Sequence, residues 1–441
     1  MSVKKPYILD DKLCKAAIDA ALSAVKVDDM LVSLVGQRKR HLRFARNGVT
    51  TSGDIDEVTC NVTCVVGTRH ATVEVKGLDH NLLRDAAIRA KQFAELCPED
   101  PEFVPYPSVA DTPPVPADFV DKTALLSAQQ VADAVAPAIA QARSRNLNGA
   151  GYLDLSTTTI ALATKAGFFG THQATKSNFS MTARTQDGTG SGWAGRDGES
   201  LAQLDIPKLS LVACDKAERS RSPRALPPGH YPVVLEAAAT SELLGFLARA
   251  LDLRAAEEGN SPFSAGDGKS KVGEKLLGQL TLLSDPFDKA TPGAPFDSEG
   301  LPRQRQVFAE NGELKSLYVS RYWAKKTNRK ATAQPTSFSA HGPSVEPDLV
   351  KGLDRGLLVT RLWYCNPVDP KTLTLTGLTR DGVFWVEGGH IVDSVNNFRF
   401  NQSVISLFAD TEAWGPADRV DGLAPAIRCS DFFMSTKSDA V

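Results

Sequence analysis

No apolar run in this 441-residue chain reaches the ~18 residues that a membrane-spanning helix needs. The opening residues, MSVKKPYILDDK, lack the apolar core of a secretory signal. Both absences lead to the expectation of a cytoplasmic protein. Charge of one sign is missing too: the net charge is −2, with acids and bases interspersed, so the basic stripe of a nucleic-acid binder is absent. The single basic cluster is Arg38, Lys39, Arg40, His41, Arg43 and Arg46. Phe44 is the only aromatic among them, and base stacking usually needs several, so the cluster reads as a solvated strand face. Seven cysteines, an odd number, are scattered along the chain. Cys60 and Cys64, the closest pair, would share a strand face ~13 Å apart, too far for a bridge. They read as reduced, buried thiols.

What remains is ordinary globular composition, 42% hydrophobic and 23% charged, ample for a large core and about three domains. Asp11 to Val25 places apolar residues on one helical face. From Met30 to Val75 the pattern alternates, as in an antiparallel sheet, with Asn47-Gly48 at a tight hairpin turn. A second helix spans Asn81 to Leu96. Residues 1–100 thus read as an N-terminal α+β domain. Six prolines between Pro101 and Pro116 make residues 101–117 an extended linker. Residues 118–224 form a middle α/β segment: a helix from Ser127 to Arg143 that Pro137 should kink or break, three or four strands separated by glycine turns, and a helix from Ile206 to Arg219. Pro227-Pro228 mark the start of a strand-rich C-terminal domain, 225–441. Its strands include QLTLL, QRQVFA, LKSLYVSRYW, GLLVTRLWY, GVFWV and HIVDS, with a short helix near Val404 to Phe408. Strands outnumber helices, so the fold class is α+β rather than doubly wound.

The organising stretch is His230 to Leu253, HYPVVLEAAATSELLGFLARALDL. A short apolar run, Tyr231 to Leu235, gives way to Leu243, Leu244, Leu247, Ala250 and Leu251 at three- and four-residue spacing. That change of period predicts a buried strand feeding a helix that starts near Glu236. The first amides of such a helix point out of the sheet, a common place for a catalytic group.

This stretch resembles the metal-binding segment of the TldD/PmbA family of peptidase-related proteins. Four further matches follow in the family's order: DGTGSGWAGRDG (187–198), EEGNSPFSA (257–265), the hairpin stretch 296–324 and the tail from Pro425. Zinc-bearing members carry His-Glu-x-x-x-His where this chain has Leu235, Glu236 and Thr240. Neither leucine nor a neutral hydroxyl is an adequate zinc donor. The family's cysteine ligand corresponds to a place near Gly415-Pro416, which has no thiol; Cys429 lies later and reads as a core residue. The resemblance is therefore to the PmbA (TldE) type. It implies a chain with no cofactor of its own, paired with a zinc-bearing homologue as a heterodimer or higher oligomer. It also implies extended peptide substrates and roles in proteolysis, peptide maturation or modulation of DNA gyrase.

For Glu236, catalytic remnant competes with a plainer reading, a carboxylate serving the free amides of its own helix. Gly190, Gly192 and Trp193, with Asn260 in the later loop, are candidate substrate contacts: a glycine-rich rim would let an extended peptide pair with a sheet edge. The same glycines suit a simple turn, and no Lys-Ser/Thr follows to make a phosphate loop. Two alternatives stand beside the partner-subunit reading. One is a self-paired, non-catalytic peptide-binding homodimer. The other is a Cys/His hydrolase built from Cys365, His341 and His390 with Asp381 and Glu387 nearby.

Overall fold

The computed structural model describes residues 9–108, 119–420 and 422–438; the prolines of the linker beyond Pro107 lie outside them. The N-terminal half opens with helix α1 (Asp11–Leu22), whose first turn is capped by the Asp10 carboxylate accepting from the Leu13 amide. Strands β1 (Asp29–Ala45), β2 (Gly48–Val66) and β3 (Arg69–Lys76) follow, then α2 (His80–Leu96). Beyond the linker come the short α3 (Asp121–Ala124) and α4 (Ala128–Ser144). Next are β4 (Leu147–Thr164), β5 (Phe169–Thr185), β6 (Ser191–Gly198) and α5 (Ile206–Arg219). The six strands make one antiparallel sheet in the order β3-β2-β1-β4-β5-β6. The sheet therefore crosses the boundary that the proline-rich stretch suggests: β1 pairs with β4 from Leu31 to Phe44.

Alternation explains the layering. On β1, Val32, Leu34, Leu42 and Phe44 are buried and, at a period of two, share one face. The upper part of that face is covered by α1 and α2 and the lower part by α4 and α5, giving two separate apolar clusters. The basic cluster is divided between the faces, Arg38 and Arg40 on the covered face between the two apolar clusters and Lys39, His41 and Arg43 on the other, and it is neutralised across strands. Arg38 and Arg40 both donate to Asp54, and Lys39 lies 2.9 Å from Asp154. The hairpin turn falls one residue earlier than the Asn-Gly pair suggests. Ala45 pairs with Gly48, so Arg46 (φ 51°) and Asn47 (φ 60°) are its two central residues. Asn47 is held there because its side chain also bonds the Leu147 carbonyl and the Gly149 amide. Helix α4 runs unbroken through Pro137, under a Ser127/Gln130 capping box at its start.

The C-terminal half is built on β7 (Gly229–Leu235) and the helix after it, α6 (Ala237–Ala250). β7 lies between the strand Arg355–Asp369, to which it runs parallel, and the last strand, Leu423–Ser438. The last strand also pairs with Asn397–Ser403, which pairs with Thr374–Glu387, which pairs with Arg355–Asp369. Five strands thus close on themselves. Apolar residues from one face of this ring, from α6 and from the short α9 (Val404–Ala409) form one core, while Val234, Leu358, Phe384 and Val386 form a second, smaller cluster. On α6, Leu243, Leu244 and Leu247 are buried, each worth about 1.5–3 kcal/mol relative to exposure.

Two further short helices, α7 (Leu253–Glu257) and α8 (Arg321–Thr327), pack beside the linker. Arg254 of α7 pairs with Glu102, and Arg321 of α8 donates to the Val104 and Pro105 carbonyls. The expected strand over LKSLYVSRYW is a correction. Only Glu313–Leu314 is strand there, and α8 begins after Ser320, whose hydroxyl accepts from the Trp323 amide. An N-cap outweighs the strand bias of Tyr, Val and Trp.

Candidate functional site

β7 ends at Leu235 and α6 starts at Ala237, so Glu236 is the N-cap, in extended conformation (φ −67°, ψ 162°). Its amide donates to the Val359 carbonyl of the neighbouring strand, and its own carbonyl accepts from the Ala239 and Thr240 amides. The backbone is thereby clamped between sheet and helix. The carboxylate, however, makes no capping bond, which corrects the plainer expectation. It accepts instead from Lys216 Nζ of α5, at 2.6 Å. An ammonium is a stronger partner for a carboxylate than neutral amides are.

This pair lies in a cleft of about 180 Å³ between the two halves of the molecule. One wall is β6 and α5, with Trp193, Gly195, Arg196, Leu209 and Val212; the other is the α6 entrance, with Ala237 and Ala238, together with Asp418 and Val420. Lys216 is 15% exposed and Glu236 31%. Arg196 and Asp418 face each other at 3.1 Å. Behind Trp193, the Arg361 guanidinium lies 5.0 Å from the centre of the indole ring. Arg361 is held by Asp381, whose carboxylate is 1% exposed and also accepts from Ser191 Oγ at 2.5 Å. Burial pulls the Arg361 guanidinium below its ordinary range, with Asp381 opposing that shift.

Of the residues singled out in the sequence, Glu236 and Trp193 line this one cleft. Gly190 and Gly192 stand behind it rather than on a free rim. A Cβ on Gly192 would lie 2.3 Å from the Ala213 carbonyl oxygen, and one on Gly190 2.3 Å from that of Ala217. Their bareness lets α5 press against β6. Asn260 is exposed in the turn after α7 and does not line the cleft.

The Cys/His alternative comes apart. His390 pairs with Glu387 at one end of the long hairpin, whereas Cys365 lies toward the end where Pro367 meets Leu375. Some ten residues of strand separate them, about 33 Å. Burial, then Glu242, pushes the Cys365 thiol up to about 12. His341 stands on a strand that pairs with neither. His230 is taken up by Asp431 and stacks on Phe433.

The residues at the α6 entrance do not fit a zinc ion. Leu235 is fully buried and has no donor atom. Thr240 is also buried, and its hydroxyl donates to the Glu236 carbonyl. Glu236 is already ion-paired. Gly415 packs on Leu349 and Ala426, while Cys429 is a core thiol bonded to Leu407 and Thr411. Among the described residues no group of three or more His, Cys, Asp or Glu is placed to hold a metal.

Sequence reasoning missed Lys216, Arg196, Asp418 and Arg361, and named Asp381 only as a neighbour in the Cys/His alternative. One signal was available: Gly190 and Gly192 alternate on a strand while Ala213 and Ala217 stand four apart on a helix, a small-residue match that brings α5, and with it Lys216, onto β6.

Residues 228–436 match the PmbA/TldA metallopeptidase C-terminal domain. The chain is 27% identical over 205 residues to the Escherichia coli O157:H7 metalloprotease PmbA, covering 44% of this chain and 43% of that protein. It is likewise 27% identical over 229 residues to a Methanothermobacter thermautotrophicus metalloprotease, covering 50% of this chain and 46% of that one. These matches therefore span less than half of each curated relative. In fold it is similar to the crystal structure of TldE from Thermococcus kodakarensis, with a TM-score of 0.85 at 17% identity over 96% of this chain and 99% of that one. A proposed modulator of a DNA gyrase from Thermotoga maritima gives 0.81 at 17% identity, covering 96% and 98%. The half that carries β7 and α6 thus belongs to the PmbA/TldA metallopeptidase C-terminal domain family, and the chain as a whole shares the fold of TldE.

Proposed function

We propose that this chain is the metal-free partner subunit of a two-chain zinc metallopeptidase of the TldD/TldE type, working in the cytoplasm. It pairs with a metal-bearing homologue and helps to bind and enclose extended peptides, which are cut or matured at the partner's zinc. The observation that carries this reading is the α6 entrance. It keeps the strand-to-helix geometry of a catalytic segment, yet presents leucine, threonine and an ion-paired glutamate in place of a donor set. Nothing in that set lowers the pKa of a bound water as a catalytic zinc does. The cleft beside it has features suited to an extended chain: the edge strand β6, an indole face at Trp193, and apolar walls from Leu209, Val212 and Ala237. Ser191 bonds Ser220 in both directions through its backbone, so alternate β6 residues turn their backbone groups away from β5. Trp193 and Gly195 follow in that register, and both line the cleft.

The test is metal analysis and peptide cleavage by the chain alone and after co-expression with a His-Glu-x-x-x-His homologue. The expected result is no stoichiometric zinc and no cleavage alone. With the homologue, a joint peak on a sizing column should cut peptides in a chelator-sensitive way. An isolated chain that holds one tightly bound zinc and cleaves peptides would overturn the proposal. So would failure to co-elute, with stable self-pairing and peptide binding in its place.

A further inference from the structure

We infer that Lys216 is a resident cation at the α6 entrance, so that the chain excludes a divalent ion by charge and not only by lacking ligands. Losing two histidines would leave a lone carboxylate at the mouth of a helix, free to cap it. Glu236 does not behave that way. Its side chain turns from the helix amides toward an ammonium supplied by a different half of the molecule.

Lys216 is placed to stay there. α5 is pressed onto β6 at this level, since a Cβ on Gly192 would fall 2.4 Å from the Ala217 amide nitrogen and 2.6 Å from Lys216 Cβ. Nζ has a second acceptor in the Trp193 carbonyl, at 3.4 Å, and the side chain is 15% exposed, with little room to swing into water. A zinc ion on the same carboxylate would sit about 2.0–2.2 Å from its oxygen, within about 5 Å of the ammonium. It would also face the positive end of α6. Two like charges at that distance, in a cleft partly shielded from water, repel strongly. Restoring imidazoles at 235 and 240 therefore does not restore a metal site while Lys216 remains. This inference concerns the isolated chain and is independent of whether it pairs with a homologue.

The experiment compares the full-length L235H/T240H and L235H/T240H/K216M proteins by titration with cobalt(II), followed by its visible absorption. Lys216→Met is expected to raise cobalt affinity at least tenfold in that background; equal affinity with and without Lys216 overturns the inference. Leu235 and Thr240 are buried, so a second comparison leaves them untouched. The parent, K216M and K216M/E236Q are titrated with terbium(III), an oxygen-seeking ion, and Trp-sensitised luminescence is read with Trp193 beside the carboxylate. K216M is expected to bind at least tenfold more tightly than the parent, and E236Q to abolish the gain. A parent that binds as tightly as K216M, or a gain that survives E236Q, defeats the inference.

Discussion

Replacing Asp381 by asparagine breaks a buried ion pair of the C-terminal sheet whose carboxylate also bonds the other half of the molecule. Asp381 belongs to the strand Thr374–Glu387 of the C-terminal sheet, and Ser191, its hydroxyl partner, opens β6 of the other sheet. Asparagine keeps the shape and tolerates the left-handed φ of 56° at this position, so backbone strain does not enter. What changes is charge. Arg361 Nε and Nη2 each lie 2.7 Å from Asp381 Oδ2, and the two side chains are 23% and 1% exposed. Removing one partner of such a buried pair costs about 3–5 kcal/mol, because the other charge stays behind unpaired. The Ser191 bond accounts for little of this, since the asparagine oxygen can still accept it and a neutral bond is worth about 1 kcal/mol. About 3 kcal/mol corresponds to roughly a hundredfold rise in local opening. Native-state hydrogen exchange at the amides of the paired strands Arg355–Asp369 and Thr374–Glu387 reads that opening directly. The double variant R361M/D381N, which removes both charges, should recover much of the loss. Protection of those two strands within threefold of the parent in D381N, or a double variant no better than the single, refutes the buried-charge argument.

Three other outcomes follow from single positions. Gly192→Ala drives a methyl group into the α5 backbone and should cost about 1–3 kcal/mol or more in urea unfolding. Gly245→Ala, inside α6 with nothing nearer than 3.9 Å, should stabilise by about 0.5–1 kcal/mol; the same sign for both would refute the packing account. At the basic cluster, the hydrogen bond from Arg38, joined by Arg40, holds the Asp54 carboxyl down to about 2. Its folded pKa lies below the unfolded value of ~3.9. The stability it contributes is therefore present above that value and lost as pH falls toward 2. Asp54 is 41% exposed, so the contribution is at most about 1 kcal/mol. The Asp54→Asn variant should lose less stability between pH 4 and pH 2 than the parent, and equal slopes would refute it.

Periodicity carried the helices and the long strands: α5 lies where Ile206 to Arg219 predicted it, and the change of period at Glu236 is a real strand-to-helix junction. Local chemistry that needs a partner elsewhere was not legible. Arg46-Asn47 replaced Asn47-Gly48 in the first hairpin because Asn47 is anchored 100 residues away at Leu147. The strand Thr411–Arg419 escaped notice because Gly415-Pro416 interrupts its alternation. α8 was read as strand because its residues favour strands and only Ser320 and the left-handed Asn328 mark its ends. For the glycines at 190 and 192 the sequence left a simple turn and a flexible rim open, whereas they form the flat surface on which a helix rests. The missing zinc donors at 235 and 240 could be seen directly. The lysine that faces the remaining glutamate could not, since no local pattern joins positions 216 and 236.

The ties across the cleft differ in strength, and that ordering decides how it works. Arg196–Asp418 is 40% and 43% exposed, and such pairs contribute about 0–1 kcal/mol each. Arg419 reaches both Asp197 and Glu199 from the strand beside the final one, a firmer link because all three side chains are mostly shielded. The Ser191–Asp381 bond is the most buried of these contacts, with Asp381 1% exposed and its counter-charge Arg361 lying over the Trp193 ring of the other wall. This inner contact therefore sets the spacing of the two walls while the outer pairs trim it. A wall spacing set from behind Trp193 leaves the mouth, where Lys216 meets Glu236, in one geometry before any peptide arrives. Binding there then costs little ordering of the protein itself, as the peptide-enclosing role proposed above requires.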